Sequence, residues 1–236
     1  MTNKNNSLVM IFCYNVEDNI GKIIRKVEKL SLNSKFDFVF LDDKSNDKTI
    51  EILEKKYLKN CKIIKNKTNQ GFGLNYKFSI NYAKKLNYEN LIFLHGDNQY
   101  PCHKIQEIEK ELTFNSLCYG SRKLNHTSMK SNMPLMRYYA NIFLTYLINF
   151  IFNNNATEYF SGFRGLKVKD LKYLNLKDFS DHWVIEQEIH FLFIRKKFNI
   201  SEIKIPTLYD ETQISLIAPI AYVASVFKSI IVFYFK

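Results

Sequence analysis

Leu91-Ile92-Phe93-Leu94-His95-Gly96-Asp97-Asn98-Gln99-Tyr100-Pro101 is an apolar run that stops in a carboxylate, an amide and a proline. An unbroken apolar run of this length suits a buried strand. Such a strand, read as ending at Asp97, holds Asp97 and Gln99 at the carboxyl edge of a sheet, where open α/β folds bind ligands. Oxygen donors there suit a hard divalent cation that also holds phosphates. A single Asp ahead of a Pro is more simply a capped strand entering a turn, so the neighbouring segments have to supply the weight.

They do so by repetition. Residues 8–13 form another apolar run, followed by the polar segment Tyr14 to Asn19 and then by Ile20, Ile23, Ile24, Val27 and Leu30 at the spacing of one helix face. Phe36 to Leu41 is a second such strand. It ends in Asp42-Asp43-Lys44-Ser45-Asn46-Asp47-Lys48-Thr49, and Ile50, Leu53 and Tyr57 continue at helical spacing with Asp47 as the expected N-cap. Cys61 to Lys65, the loop Asn66 to Gly73 and a helix to about Leu86 complete a third unit before the strand at Leu91. Alternation of this kind predicts a mostly parallel, doubly wound α/β sheet flanked by helices, with polar residues gathered at one edge. Gly71 and Gly73 in one loop fit either backbone approach to a ligand or tight turning.

After Pro101 the pattern gives a polar helix, a short strand over Ser116 to Tyr119, and an aromatic-rich helix from Pro134 to Phe152 that carries Arg137. Two divisions are expected: 1–215 as the α/β domain and 216–236 as an apolar C-terminal helix. The latter has charge only at Lys228 and Lys236, and about 20 residues at roughly 1.5 Å each reach the thickness of a hydrocarbon core. Pro219 and Lys228 argue against a clean span and leave an interfacial helix, a partner helix or packing on the core.

The composition narrows the partners. The net charge is +11, from 34 Lys and Arg against 23 Asp and Glu, so anions are attracted. These cations are scattered and no nucleic-acid-binding motif accompanies them, which argues against nucleic acid as a partner. Cys13, Cys61, Cys102 and Cys118 lie far apart with no zinc spacing, as expected of reduced thiols in the cytoplasm.

Taken together these segments resemble the family 2 glycosyltransferases of GT-A (Rossmann-like) fold, in particular the branch that uses dolichol or polyprenyl phosphate. The resemblance runs over nearly the whole chain. Cys13-Tyr14-Asn15-Val16-Glu17 matches the loop that cradles the nucleotide base, and Asp42 to Thr49 matches D-D-x-S-x-D-x-T. It implies that Tyr14, Asn15, Glu17, Asp42, Asp43 and Gly71 bind the nucleotide, with Asp43 reading the base. His95-Gly96-Asp97-Asn98-Gln99 falls where many members carry D-x-D-x-Q, which makes Asp97 and Gln99 the implied ligands of Mg²⁺ or Mn²⁺. His95 replaces the first Asp and is expected on phosphate or sugar rather than on metal. Gly120-Ser121-Arg122, Arg137 and Ser161-Gly162-Phe163-Arg164 match segments whose arginines face the acceptor phosphate, and Glu158 stands where the family often has Asp. Pro206 to Thr212 resembles a segment closing over the donor site. His182, Trp183, Gln187 and Glu188 are expected to border the acceptor.

The activity implied is inverting transfer of a hexose-type sugar from a UDP- or GDP-linked donor to polyprenyl phosphate or a related lipid-linked or glycan acceptor, at the inner face of a membrane. Asp97, Arg122, Arg137, Arg164 and Glu158 are the candidate catalytic residues. A phosphate acceptor needs no dedicated base. A hydroxyl acceptor does, and Glu158 and Glu188, with Asp181 behind them, are the candidates. Two other readings stay open: a nucleotidyltransferase, which would lack its Gly-rich phosphate loop here, and a non-catalytic, membrane-associated sugar-nucleotide binder marked by His95.

Overall fold

A computed structural model describes residues 6–31, 36–56, 61–125, 135–206 and 219–235. One sheet of seven strands has the order β3-β2-β1-β4-β6-β5-β7. β1 (Ser7–Cys13), β2 (Phe36–Asp42), β3 (Cys61–Lys65) and β4 (Asn90–His95) run parallel. β6 (Arg164–Lys167) is antiparallel to both β4 and β5 (Leu117–Ser121), and β7 (Ile200–Lys204) is parallel to β5. The chain steps outward from β1 to β2 and β3, then returns to the other side of β1 for β4. That reversal opens a crevice beyond the carboxyl ends of β1 and β4, the usual ligand position in such sheets.

The continuous apolar runs follow from burial on both faces. On β1, Leu8 and Met10 join one core and Val9 and Ile11 the other; on β4, Leu91 and Phe93 part from Ile92 and Leu94 in the same way. Each of these residues is fully buried, and burial of one such side chain contributes about 1.5–3 kcal/mol. One face is covered by α3 (Phe72–Lys85), α5 (Leu135–Phe152), α6 (Ile185–Arg195) and α7 (Pro219–Tyr234), the other by α1 (Glu17–Ser31), α2 (Thr49–Glu54) and α4 (Ile105–Glu111). Ile20, Ile23, Ile24 and Val27 are the buried stripe of α1, as their spacing predicts.

Two expectations shift and two strands are new. β4 ends at His95, two residues before Asp97: the Asp97 carboxylate accepts from Gln99 N at 3.0 Å and Asn98 takes φ 64°, so the chain is already turning there. The residue preceding α2 is Lys48, although Asp47 does bond the Thr49 amide at 3.0 Å. β6 and β7, four and five residues long, carry no periodic signal strong enough to be read beforehand.

α7 buries Val226, Ile230 and Phe233 in the same core as α5 and α6, so one of its faces is integral to the domain. The opposite face is apolar and open, with Ile231 61 % and Phe235 81 % exposed. α5 likewise exposes Tyr139, Phe143, Tyr146 and Phe150 by 60–86 % while burying Leu144 and Ile148. Among the described residues no helix is long and apolar enough to cross a membrane.

Candidate active site

The loops after β1 and β2 are laced together at the carboxyl edge of the sheet. Asn15 N donates to Ser45 Oγ at 3.0 Å, Val16 N to Thr49 Oγ1 at 2.9 Å and Glu17 N to Asp47 Oδ2 at 3.0 Å. In return Asn46 N donates to Asn15 Oδ1 at 2.9 Å and Lys48 N to Glu17 Oε2 at 2.7 Å. The opening amides of α1, which have no partner within the helix, are thus met by side chains of the next loop. Burial works to raise the Asp47 carboxyl, but hydrogen bonds from the Thr49 hydroxyl and amide and from the Glu17 amide outweigh it and hold the group below its ordinary value.

Asp42 and Asp43, both buried, are engaged in the same way. Asp42 accepts from Ser45 N at 3.0 Å and from Ser45 Oγ at 2.5 Å. Asp43 organises the loop after β3: Oδ1 accepts from Asn66 Nδ2 and Gln70 N, and Oδ2 from Gly71 N, each at 2.8 Å. Gly71 sits at φ 81°, where a side chain would be strained, so tight turning accounts for this glycine. Tyr14 is 37 % exposed beside these loops. The six residues matched to nucleotide binding therefore gather at one edge, where Asn15, Glu17, Asp42, Asp43 and Gly71 also build the loops they belong to.

On the far side of the switch point stands the Asp97-Asn98-Gln99 turn. Lys26 of α1 donates to Asn98 Oδ1 at 2.5 Å and fixes the turn from behind. Among the described residues no group of three or more His, Cys, Asp or Glu side chains converges on a common point. One carboxylate and one carboxamide still fit Mg²⁺ or Mn²⁺ held chiefly through substrate phosphates, since such ions take one or two protein carboxylates and complete their shell elsewhere.

His95 is caged. Its ring meets Phe12, Phe72 and Tyr100 at centroid distances of 6.1, 5.7 and 5.2 Å. A Cβ at Gly162 would lie 2.8 Å from its Nε2, so only glycine allows this approach, and Nε2 is buried without a hydrogen-bond partner. Tyr100 Oη accepts from Gly162 N at 2.9 Å. Phe72 stacks on the half-exposed Trp183 at 5.1 Å and 15°, and Lys77 ties α3 to the Phe179 carbonyl and the Asp181 carboxylate, both at 2.6 Å.

The residues assigned to the acceptor behave differently. Arg164 opens β6 and is 1 % exposed. Its guanidinium donates to the carbonyls of Ser161 (2.7 Å), Glu186 (2.9 Å) and Tyr159 and lies over the Tyr119 ring. These partners hold the guanidinium in the interior, away from the surface. Arg122 and Glu158 form a buried ion pair, with Nε at 2.8 Å from Oε1, a further contact through the Arg122 NH2 nitrogen, and Arg122 N at 2.9 Å from Oε2. Glu158 is thereby matched to a permanent cation. Glu188 accepts from Ser180 N at 2.7 Å and Ser229 Oγ at 2.8 Å, joining α6 to α7. Arg137 lies in the first turn of α5, with its side chain outside the described set, as are residues 207–212 of the segment expected to close over the donor.

Two acidic residues escaped the sequence reading. Glu202 of β7 accepts from Thr157 N and Thr157 Oγ1, both at 2.8 Å, and from Tyr119 Oη. Glu186 lies deep beneath the site; burial raises its carboxyl, partly offset by Arg164 and His95, and its Oε1 has no partner. Their signal was weak: each is a single acid among apolar neighbours on a short element.

A mostly parallel α/β sheet with acidic strand-end loops at its switch point and one antiparallel strand beyond β4 defines a glycosyltransferase fold of the GT-A class. The family model described as Glycosyl transferase family 2 matches residues 8–174, and the chain belongs to that family. The uncharacterized protein MJ0544 of Methanocaldococcus jannaschii is 30 % identical over 242 residues, covering 97 % of this chain and 99 % of that one. Glucosyl-3-phosphoglycerate synthase from Mycobacterium tuberculosis in complex with UDP superposes with a TM-score of 0.73 at 12 % identity, covering 98 % of this chain and 80 % of that chain. The same enzyme with Mn²⁺, UDP-glucose and phosphoglyceric acid gives 0.71 at 11 % identity, with coverage of 98 % and 80 %.

Proposed function

We propose that this chain transfers a hexose, with inversion, from a UDP-linked donor to polyprenyl phosphate at the cytoplasmic face of a membrane. The observation that carries the donor half is the Asp97–Gln99 turn at the switch point, facing the laced loops of Tyr14–Glu17 and Asp42–Thr49 across β1. The mycobacterial enzyme's complexes with UDP and UDP-glucose favour UDP over GDP. Asp97 and Gln99 would hold Mg²⁺ or Mn²⁺, which when bound neutralises charge on a departing diphosphate.

The acceptor half rests on the state of the candidate bases. Glu158 is paired with Arg122, Glu188 with two serines, and Asp181 with Lys77. A hydroxyl acceptor would need one of them to take its proton. A phosphate monoester, with a second pKa near ~6, is already an anion at neutral pH. Its oxygen attacks the anomeric carbon as the bond to the nucleoside diphosphate breaks, and no proton has to move. Arg137, at the start of α5, remains the cation assigned to that phosphate.

The lipid nature of the acceptor draws on the exposed faces of α5 and α7. Tyr139, Phe143, Tyr146 and Phe150 recur at spacings of four, three and four, one stripe of a helix without acidic residues. Aromatic stripes on a basic protein suit the boundary between headgroups and acyl chains. Lys123, which follows β5, reaches Thr145 in mid-helix, so the first half of α5 stands beside the candidate site.

The test is sugar transfer from UDP-glucose to a polyprenyl phosphate in detergent, against phosphoglyceric acid. Lipid-linked product alone is the expected result. Transfer to phosphoglyceric acid alone would favour a second reading, a soluble phosphorylated acceptor, for which the fold likeness to the mycobacterial enzyme speaks.

A further inference from the structure

At the amino edge of the sheet, opposite the candidate active site, lies a cavity of about 630 Å³ between the C-terminal ends of α5 and α6. Asn115, just before β5, and Ile200, the first residue of β7, form its floor; Asn153, Arg195, Lys197 and Asn199 stand around it. No acidic side chain lines it. Glu111, outside the lining, accepts from Asn115 Nδ2 at 3.2 Å.

The cations of this cleft are not spent on carboxylates, unlike Lys55, Lys65, Lys77, Lys104, Arg122 and Arg164, which each have one within 4 Å. Among the described residues neither Arg195 nor Lys197 forms an ion pair; Arg195 lies over the ring of Tyr234 at 5.7 Å. That ring links the cleft to the apolar surface. Phe152, which lines the cavity, meets Tyr234 edge-on at 6.1 Å, and Tyr234 meets Phe235 at 5.2 Å. Phe235 and Phe150, at 81 % and 86 %, are among the most exposed aromatics of the molecule.

We propose that this cleft holds the anionic headgroup of a membrane phospholipid whose acyl chains lie against the α5 and α7 stripe. The inference rests on the membrane reading above and adds a second anchor to it. The stripe extends from the candidate site at one end to this cleft at the other, so a headgroup here lays both helices along the bilayer and sets the active site at its surface. Charge complementarity selects the ligand: paired donors from Arg195 suit phosphate oxygens, and Lys197 adds a point charge.

The test is sedimentation of the full chain with vesicles of phosphatidylcholine alone and of phosphatidylcholine and phosphatidylglycerol (3:1). Three variants accompany the wild type: Arg195→Gln/Lys197→Gln in the cleft, Phe143→Ser/Phe150→Ser on the stripe, and Arg25→Gln/Lys29→Gln on α1 as an equal loss of charge on the other face of the sheet. The wild type should bind the mixed vesicles more tightly than phosphatidylcholine. The cleft variant should lose about thirtyfold on mixed vesicles, as two cations at an anionic surface imply, and nothing on phosphatidylcholine; the stripe variant should lose on both. A cleft variant that binds mixed vesicles like the wild type, or an α1 variant that loses as much, overturns the headgroup site and leaves the membrane reading standing. A wild type that binds neither vesicle overturns both.

Discussion

The two halves of the carboxyl edge are built on opposite terms. Around β1 and β2, polar side chains are held by backbone amides of neighbouring loops, and Ser45, Asp47 and Thr49 reach the start of α1. Around β5, β6 and α6 the polar groups face one another in the interior: Arg122 with Glu158, and Arg164 with carbonyls beside Glu186. Charged residues thus play different parts. A carboxylate in a turn caps amides, whereas an arginine on a short inner strand becomes a strut.

The largest effect that would break this contrast is expected at Glu158. Glu158→Ala leaves the buried Arg122 without its partner and should cost about 3–5 kcal/mol, read as a lowered denaturant midpoint. Arg122→Met/Glu158→Leu should recover most of it. A loss of activity with wild-type stability in Glu158→Ala would return Glu158 to the reaction.

Next comes Gly162→Ala, which forces the caged His95 ring to move and should destabilise by about 1–3 kcal/mol. Thermal unfolding measures it. An unchanged Tm would mean that the His95 cage is looser than its aromatic neighbours imply.

Asp47→Ala removes acceptors from the opening amides of both α1 and α2 and should cost about 1–2 kcal/mol. UDP affinity should fall with it if the loops assigned to the nucleotide, which lose their lacing, contact that ligand. Stability alone would fall if those loops did not contact the ligand.

The smallest effect concerns pH. Burial holds His190 well below its ordinary value, so the folded state keeps it neutral while the unfolded chain binds a proton as pH falls below ~6.5. Stability should therefore decline with acidification by up to about 1.4 kcal/mol per pH unit from this group. His190→Phe should flatten that slope in denaturant titrations between pH 6.5 and 5; an unchanged slope would place the dependence on another group.

The contrast also marks what the sequence could disclose. Long apolar runs such as Leu8 to Cys13 and Leu91 to Leu94 announce two-faced burial, and the Asp42–Thr49 motif lies at a strand end whatever its role, so the parallel half of the sheet and the edge where its polar loops gather were legible. β6 was not: Arg164-Gly165-Leu166-Lys167 has neither length nor alternation, and its antiparallel insertion between β4 and β5 is a tertiary choice. The burial of Arg164 followed from that insertion, and a motif match carries no sign of it. Asp43 shows a milder form, since its spacing told where it stands but not that three donors already meet its carboxylate.

The central claim is that the crevice between β1 and β4 takes a nucleoside diphosphate with the help of Asp97. Isothermal titration with UDP, in Mn²⁺ and in EDTA, tests it on the wild type and Asp97→Asn. The account predicts binding by the wild type in Mn²⁺, weakened by at least about tenfold, or 1.4 kcal/mol, by EDTA and by the substitution, with the Tm of the variant unchanged. Equal UDP binding by both proteins with and without the metal would contradict it.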